Sequence, residues 1–285
     1  MKLLKLYIST SRPMFWMLAP LAFTCGVIFS GYELRTFYYK PVLLLQMISL
    51  SFPLALFTFG INDIFDYDSD NINPRKNGSK KILTLLEGST IDQKDHRLIK
   101  NGVICCAIII LAISCMTLDP ANLFYTISLL LLIFTYSSPP WKLKSRAPFD
   151  SITAGLSASF LPFALGACHA GSPWDMPFQI FLFSLCAMGI HAFSTIMDYT
   201  ADLETNCKTF AVKFGKRWAA LFSAVTILIA LLTIKTILLR SFALSYLLLF
   251  FLNAAFISEK LARITYIFIY SSVLILSIFW IFQNL

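Results

Sequence analysis

"NDIFDYDSDNINPRK", residues 62–76, places four aspartates (63, 66, 68 and 70) within nine positions and follows them at once with Arg75 and Lys76. Immediately upstream, residues 41–62 carry no charged side chain. An uncharged run of that length meets the roughly 20 apolar residues that a helical membrane span needs. Acid, then base, therefore collects at the end of an oily helix.

Outward from this stretch the whole chain has the same character. Of its 285 residues 58% are hydrophobic and only 13% are charged, against roughly 25% charged in soluble domains, and the mean hydropathy is +0.73. The fold class is all-α: a polytopic membrane protein with about nine transmembrane helices. Apolar runs between polar breaks put the spans at 13–30, 41–62, 99–118, 120–137, 149–169, 176–198, 216–234, 237–256 and 263–283. The division of 217–256 into two spans rests on Lys235 and Arg240 alone.

Nine spans alternate the loops between two sides. All of the 23 Lys and Arg residues except Arg35, Lys40, Lys235 and Arg240 then fall on one side. Loops rich in Lys and Arg stay in the cytoplasm, so the N-terminus and the aspartate stretch are expected there and the C-terminus outside. The expected location is the cell (inner) membrane, crossed repeatedly, with the lipid bilayer as a partner. The net charge of +8 is then mostly topology. Its cations are spread over several loops with no recognition module, which argues against nucleic acid.

The seven cysteines include no C-x-x-C pair and read as packing residues, with no metal or disulfide framework. No cleavable signal peptide is expected, because the first apolar run serves as the first helix. Residues 1–285 read as one domain, since no linker or low-complexity segment divides them. A loose internal echo, D-x-x-x-D at Asp66/Asp70 and again at Asp198/Asp202, suggests two four-helix halves.

If the opening stretch forms the last turns of the second helix, Asn62, Asp66, Asp70 and Asp63 fall at roughly 0°, 40°, 80° and 100° around it. They share one face, while Asp68 lies opposite. Carboxylates this close repel each other and raise each other's pKa unless a cation sits among them. Carboxylate and amide oxygens without Cys or His suit Mg²⁺, which binds through one or two carboxylates together with substrate phosphates.

"HAFSTIMDYTADLETNCKT", residues 191–209, has the same spacing: His191, Thr195, Asp198 and Asp202 share one face if the helix runs through them, and Glu204 points away. Arg75, Lys76, Lys142, Lys144 and Lys208 are suited to donate charge-assisted hydrogen bonds to phosphate. Metal-binding acid, base and a hydrophobic interior together call for a substrate with a polyanionic head and an apolar tail. A prenyl diphosphate has both.

These motifs resemble the UbiA family of intramembrane prenyltransferases. "NDIFDYDSD" matches N-D-x-x-D-x-x-x-D, "DYTAD" matches D-x-x-x-D, and "YSSPPWKLK" (136–144) is similar to the family's Y-S-x-P-P-x-[RK]-x-K. The resemblance covers essentially the whole chain. It implies a helical bundle around a central cavity, in which two Mg²⁺ ions grip a prenyl diphosphate and a lipophilic acceptor attacks the freed carbon.

By that resemblance, Asn62, Asp66 and Asp70, with Asp63 beside them, belong to one metal site and Asp198 and Asp202 to the other. Arg75, Lys142, Lys208 and Asn62 would hold diphosphate. Tyr136 and Lys142 would join Asp66 and Asp198 in catalysis, Tyr136 by orienting or stabilising the reacting centre. The sequence departs from the family's second motif at one point: Asn206 stands where the family has glycine. Asparagine tolerates the left-handed backbone, so the turn is expected to survive.

Within the family, "SRPMFW" (11–16), "RAPFDS" (146–151) and "HAFS" (191–194) are most similar to the lycopene elongase branch, which acts on carotenoids. The alternative is an aromatic prenyltransferase with a 4-hydroxybenzoate-like acceptor. An ion-coupled transporter is a rival from another class, but transporter sites tend to lie at the membrane midplane and these motifs sit at helix ends. His191 reads either as a hydrogen-bonded core residue or as a cavity residue. Asp150 reads either as an acid favouring a helix N-terminus or as part of the cavity.

Overall fold

The structure, a computed structural model, describes residues 2–31, 40–67, 95–169 and 178–283. In chain order the helices are α1 (Lys2–Thr10), α2 (Leu18–Phe29), α3 (Pro41–Ser49), α4 (Phe52–Phe65), α5 (His96–Met116), α6 (Pro120–Ser137), α7 (Phe149–Gly155), α8 (Leu161–Ala167), α9 (Gln179–Ser194), α10 (Tyr199–Glu204), α11 (Phe210–Phe214), α12 (Lys216–Leu231), α13 (Ile237–Ala255) and α14 (Glu259–Gln283). Short 3₁₀ turns cover Pro13–Phe15 and Leu143–Ser145, and a π-helical turn, Leu156–Phe160, joins α7 to α8. No named strand occurs among the described residues.

The breaks have local causes. Arg12 adopts a left-handed conformation (φ 49°) before Pro13, and the chain bends by 56° between Leu3–Thr10 and Pro13–Phe29. Pro53 lacks an N–H and its ring crowds the carbonyl four residues back, which separates α3 from α4 at Leu50 and Ser51. Asp119 caps α6 by accepting from the Ala121 N–H at 2.9 Å. Gly215, at φ 98°, divides α11 from α12, a conformation that costs glycine nothing. The expected division of 217–256 falls between Leu231 and Ile237.

Each of the nine expected apolar segments is helical among the described residues. Among the described residues five segments are long and apolar enough to cross a membrane by length and composition, α3 and α4 counting together as Pro41–Phe65, or six if the bent pair at Arg12 is one span. The others are shorter or interrupted. The π-helical turn divides α7 from α8, and α9 and α12, at 16 residues each, rise about 24 Å against a hydrocarbon core of about 30 Å. The architecture is all-helical and polytopic.

By contacts the helices form two compact units, one of α1 to α6 with α8, the other of α7 and its π-helical turn with α9 to α14. The division is therefore not the plain N-terminal and C-terminal halving that the aspartate echo suggested, because α8 groups with the first helices.

In the first unit α2 and α8 approach at backbone distance. A Cβ on Gly26 would lie 2.0 Å from the Phe163 carbonyl oxygen, and one on Gly166 would lie 2.0 Å from that of Phe23. Close crossings of this kind are how helices associate where lipid supplies no hydrophobic drive. A buried polar cluster adds to it. The side-chain amides of Gln46 and Asn122 exchange hydrogen bonds of 2.7 and 3.0 Å, the Ser114 hydroxyl donates to Asn122 at 2.8 Å, and His169 Nε2 lies 2.7 Å from Gln46 Oε1.

In the second unit α9 packs on α12, where the Ser223 hydroxyl donates to the Gly189 carbonyl at 2.6 Å. Phe193 of α9 meets Phe250 of α13, both fully buried, at 4.8 Å between centroids. All seven cysteines are free thiols.

Candidate active site

The first aspartate motif lies on the last turn of α4. That helix ends at Phe65, and Asp66 is its C-cap, with its N–H donating to the Asn62 carbonyl at 2.9 Å. Asn62 and Asp66 are half-buried. The Ser137 hydroxyl donates to Asn62 Oδ1 at 3.0 Å, which brings the end of α6, with the half-buried Tyr136, alongside this motif. Asp70 and Arg75 lie outside the described residues.

Asp63 is differently placed. Its side chain is 1% exposed, and Arg12 donates to its Oδ1 at 3.0 Å. The guanidinium also sits 4.4 Å from the Phe59 ring centroid, a cation–π contact. In the sequence Arg12 counted as a topological charge and as part of "SRPMFW" (11–16), and nothing local marks it as the partner of an aspartate.

The second motif is not one continuous helical face. The chain leaves α9 at Ser194, passes through turns at 195–198 and re-enters a helix at Tyr199, so the single face assumed for His191, Thr195, Asp198 and Asp202 is broken. Thr195 is buried and serves the chain, its Oγ1 accepting from the Ala211 N–H at 3.0 Å and donating to the Ala192 carbonyl at 2.7 Å. Asp198 stands at the N-cap position of α10, yet its carboxylate does not cap that helix.

Asp202, one turn further on, accepts from the Thr209 hydroxyl at 2.9 Å on Oδ2. Asn206 takes the left-handed conformation at φ 54° that its place in the turn requires. Glu259 accepts from the Thr200 hydroxyl at 2.6 Å and from Lys216 at 3.0 Å. His191 Nδ1 lies 3.3 Å from the Ser151 hydroxyl.

Lys142 is half-buried and left-handed at φ 42°, at the entry to the 3₁₀ turn Leu143–Ser145. Lys208 is exposed. Its backbone forms an isolated parallel bridge with Arg146, in which the Ala147 N–H donates to the Lys208 carbonyl at 2.9 Å. Lys213 donates to the Ala147 carbonyl at 2.7 Å. Asp150 is fully buried, and its Oδ2 accepts from the Phe210 N–H at 2.7 Å.

The donor chemistry fits a hard divalent cation. Asn62, Asp66, Asp198 and Asp202 offer only oxygen. Asn62, Asp63 and Asp66 crowd the carbonyl end of α4, where the helix dipole disfavours negative charge. Arg12 offsets Asp63, and a cation held by Asn62 and Asp66 would do the same for Asp66. Among the described residues no three His, Cys, Asp or Glu side chains converge as a metal cluster.

Comparison with known proteins gives the family of the chain. The model of the UbiA prenyltransferase family matches residues 21–271. A protein of Corynebacterium glutamicum named lycopene elongase/hydratase is 27% identical over 240 residues, 83% of this chain and 79% of its own. A Haloferax volcanii protein of the same name is 28% identical over 233 residues, 81% of this chain and 72% of its own.

Among solved structures, a UbiA homologue from Archaeoglobus fulgidus bound to GPP and Mg²⁺ superposes with a TM-score of 0.66 at 19% identity, covering 98% of each chain. The apo structure of a UbiA homologue from Aeropyrum pernix K1 gives 0.67 at 17% identity, covering 97% of this chain and 99% of its own. The chain thus belongs to the UbiA prenyltransferase family, a multi-pass membrane enzyme that transfers prenyl groups.

Proposed function

We propose that this enzyme uses Mg²⁺ to transfer a prenyl group from a prenyl diphosphate to a carotenoid acceptor such as lycopene. The observation that carries the donor reading is the oxygen-only set at the carbonyl end of α4, with Asp66 as its C-cap. The acceptor reading is supported by the curated relatives, matched over about four-fifths of this chain and named lycopene elongase/hydratase.

In this reading Asn62, Asp66 and Asp70 hold one Mg²⁺, and Asp198 and Asp202 the other. Asp63, occupied by Arg12, fixes the end of α4. Bound there, Mg²⁺ would supply Lewis-acid stabilisation of the departing diphosphate. Arg75, Lys142 and Lys208 donate charge-assisted hydrogen bonds to its oxygens. Tyr136 presents an aromatic face to the positive charge that grows on the allylic carbon as its bond to oxygen breaks. The electron-rich acceptor then bonds to that carbon and loses a proton.

Residues 1–285 act as one catalytic domain in this reading. The asymmetry of Lys and Arg supports a cytoplasmic N-terminus and cytoplasmic aspartate motifs, so that the enzyme meets water-soluble diphosphates from that side of the cell membrane.

The deciding experiment is product mass. Purified protein is incubated with Mg²⁺, dimethylallyl diphosphate and lycopene or 4-hydroxybenzoate. The expected product is lycopene carrying an added prenyl unit, with or without one added water. A prenylated 4-hydroxybenzoate and no carotenoid product would overturn the acceptor while keeping the donor site.

A further inference from the structure

We propose that Asp150 is a positioning residue for the diphosphate site: its buried carboxyl clamps the segment 208–211 so that Lys208 and Asp202 are held in register for the donor. This deepens the prenyl-diphosphate reading above and rests on it. Everything involved lies within the second compact unit.

Three consecutive residues of that segment are pinned to three different places. The Thr209 hydroxyl donates to Asp202 Oδ2 at 2.9 Å, the Phe210 N–H to Asp150 Oδ2 at 2.7 Å and the Ala211 N–H to Thr195 Oγ1 at 3.0 Å. The first reaches the second aspartate motif directly, and the third ties the segment to the end of α9. The middle one runs from backbone to a carboxyl group on another helix. Asp150 has no measurable exposure, so it cannot meet a water-borne ligand without rearrangement.

Burying a carboxyl group in a membrane protein is costly. Two features of this chain offset that cost. Asp150 lies in the first turn of α7, where the helix dipole favours negative charge, and it accepts the short bond from Phe210.

The loop that leads into α7 is bound to the same segment. Arg146 pairs with Lys208 in a parallel bridge, and the Ala147 N–H donates to the Lys208 carbonyl at 2.9 Å. Lys213 returns a bond of 2.7 Å to the Ala147 carbonyl, and the Ser145 hydroxyl lies 3.4 Å from Cys207 Sγ. Lys142 opens this loop and Lys208 opens the segment facing it. Two cations assigned to one diphosphate are thus carried by one stapled pair of chain segments. Losing the Asp150 bond frees the middle of the segment from α7, leaves it held by the bridge at Lys208 and the Ala211–Thr195 bond on either side, and lets Lys208 and Thr209 move relative to Asp202.

The test separates positioning from simple stability. Affinity for a non-hydrolysable prenyl thiolodiphosphate with Mg²⁺ is measured for the wild type, Asp150→Asn and Asp150→Ala, beside melting temperature and hydrogen exchange over 205–214. Asp150→Ala is expected to weaken donor binding roughly tenfold, the scale of a hydrogen bond to a charged group, and to speed exchange at Phe210. Asp150→Asn keeps an acceptor oxygen and should lose less.

A rescue follows from the neighbouring pair. Ser145→Cys in the Asp150→Ala background can oxidise with the native Cys207, locking the two segments, and donor affinity should return and be lost again on reduction. Unchanged affinity and exchange in Asp150→Ala, or a formed crosslink that restores nothing, would overturn the clamp. If the wild type bound no thiolodiphosphate, the donor reading would fall, while the exchange comparison would still decide whether Asp150 holds the segment.

Discussion

Arg12 and Asp63 stand 51 positions apart in the chain and 3.0 Å apart in the fold, with side chains 14% and 1% exposed. The pair joins the left-handed bend after α1 to the last turn of α4, and so anchors the helix end that carries Asn62 and Asp66. Arg12, which no local pattern ties to an aspartate, is a support of the first aspartate motif.

Removing one partner of a buried ion pair leaves the other charge uncompensated, a loss of about 3–5 kcal/mol. Arg12→Met is therefore expected to lower the melting temperature in detergent sharply. Adding Asp63→Asn to it should recover part of the loss, because the stranded charge is gone. Equal melting of the single and double variants would show that the pair does not anchor α4.

Asp66→Asn and Asp198→Asn change one carboxylate oxygen to an amide in each motif with little change in shape. Each is expected to cut Mg²⁺-dependent diphosphate release by ~100-fold or more, the scale seen when electrostatic stabilisation is removed from a transition state. Size-exclusion profiles should not change. Chelation should abolish release in the wild type and excess Mg²⁺ restore it. Full activity in both variants would remove these aspartates from the site.

Gly26 and Gly166 face each other's helix backbones, and a Cβ at either position would lie only 2.0 Å from a carbonyl oxygen of the opposite helix. Gly26→Leu or Gly166→Leu must push α2 and α8 apart. Overpacking of this kind costs about 1–3 kcal/mol, and thermal unfolding of the purified variants should show it. A variant that melts like the wild type would mean that the crossing is not tight.

Gln46 and Asn122 form a reciprocal amide pair with Ser114 and His169 around it. Interhelical hydrogen bonds in membranes average only about 0.6 kcal/mol, but a buried polar group left without its partner costs about 1–3 kcal/mol. Asn122→Leu is thus expected to destabilise more than Asn122→Leu with Gln46→Leu. Neither should change the KM for prenyl diphosphate. A changed KM would give the cluster a part in donor binding.

The helical segments were legible because hydropathy is a local property. Apolar runs end at charges and prolines, and the breaks at Arg12–Pro13 and 232–236 fall where such residues stand, whereas Pro53 breaks a run, 41–62, that reads as one helix. Helical periodicity was less informative at the motif ends. Extending an ideal turn from His191 through Asp202 assumed that the helix continues, whereas α9 stops at Ser194. Thr195, placed on a ligand face by spacing, is drawn instead to the Ala211 N–H.

The amino-acid sequence by itself determined the membrane class, the helical segments and the family, through hydropathy and through motifs whose members lie within a few residues of one another. Tertiary structure decided which charges support those motifs. Arg12 meets Asp63 across 51 positions and Asp150 meets the Phe210 amide across 60. Pairings at that separation depend on how the helices pack, which no local pattern of residues encodes.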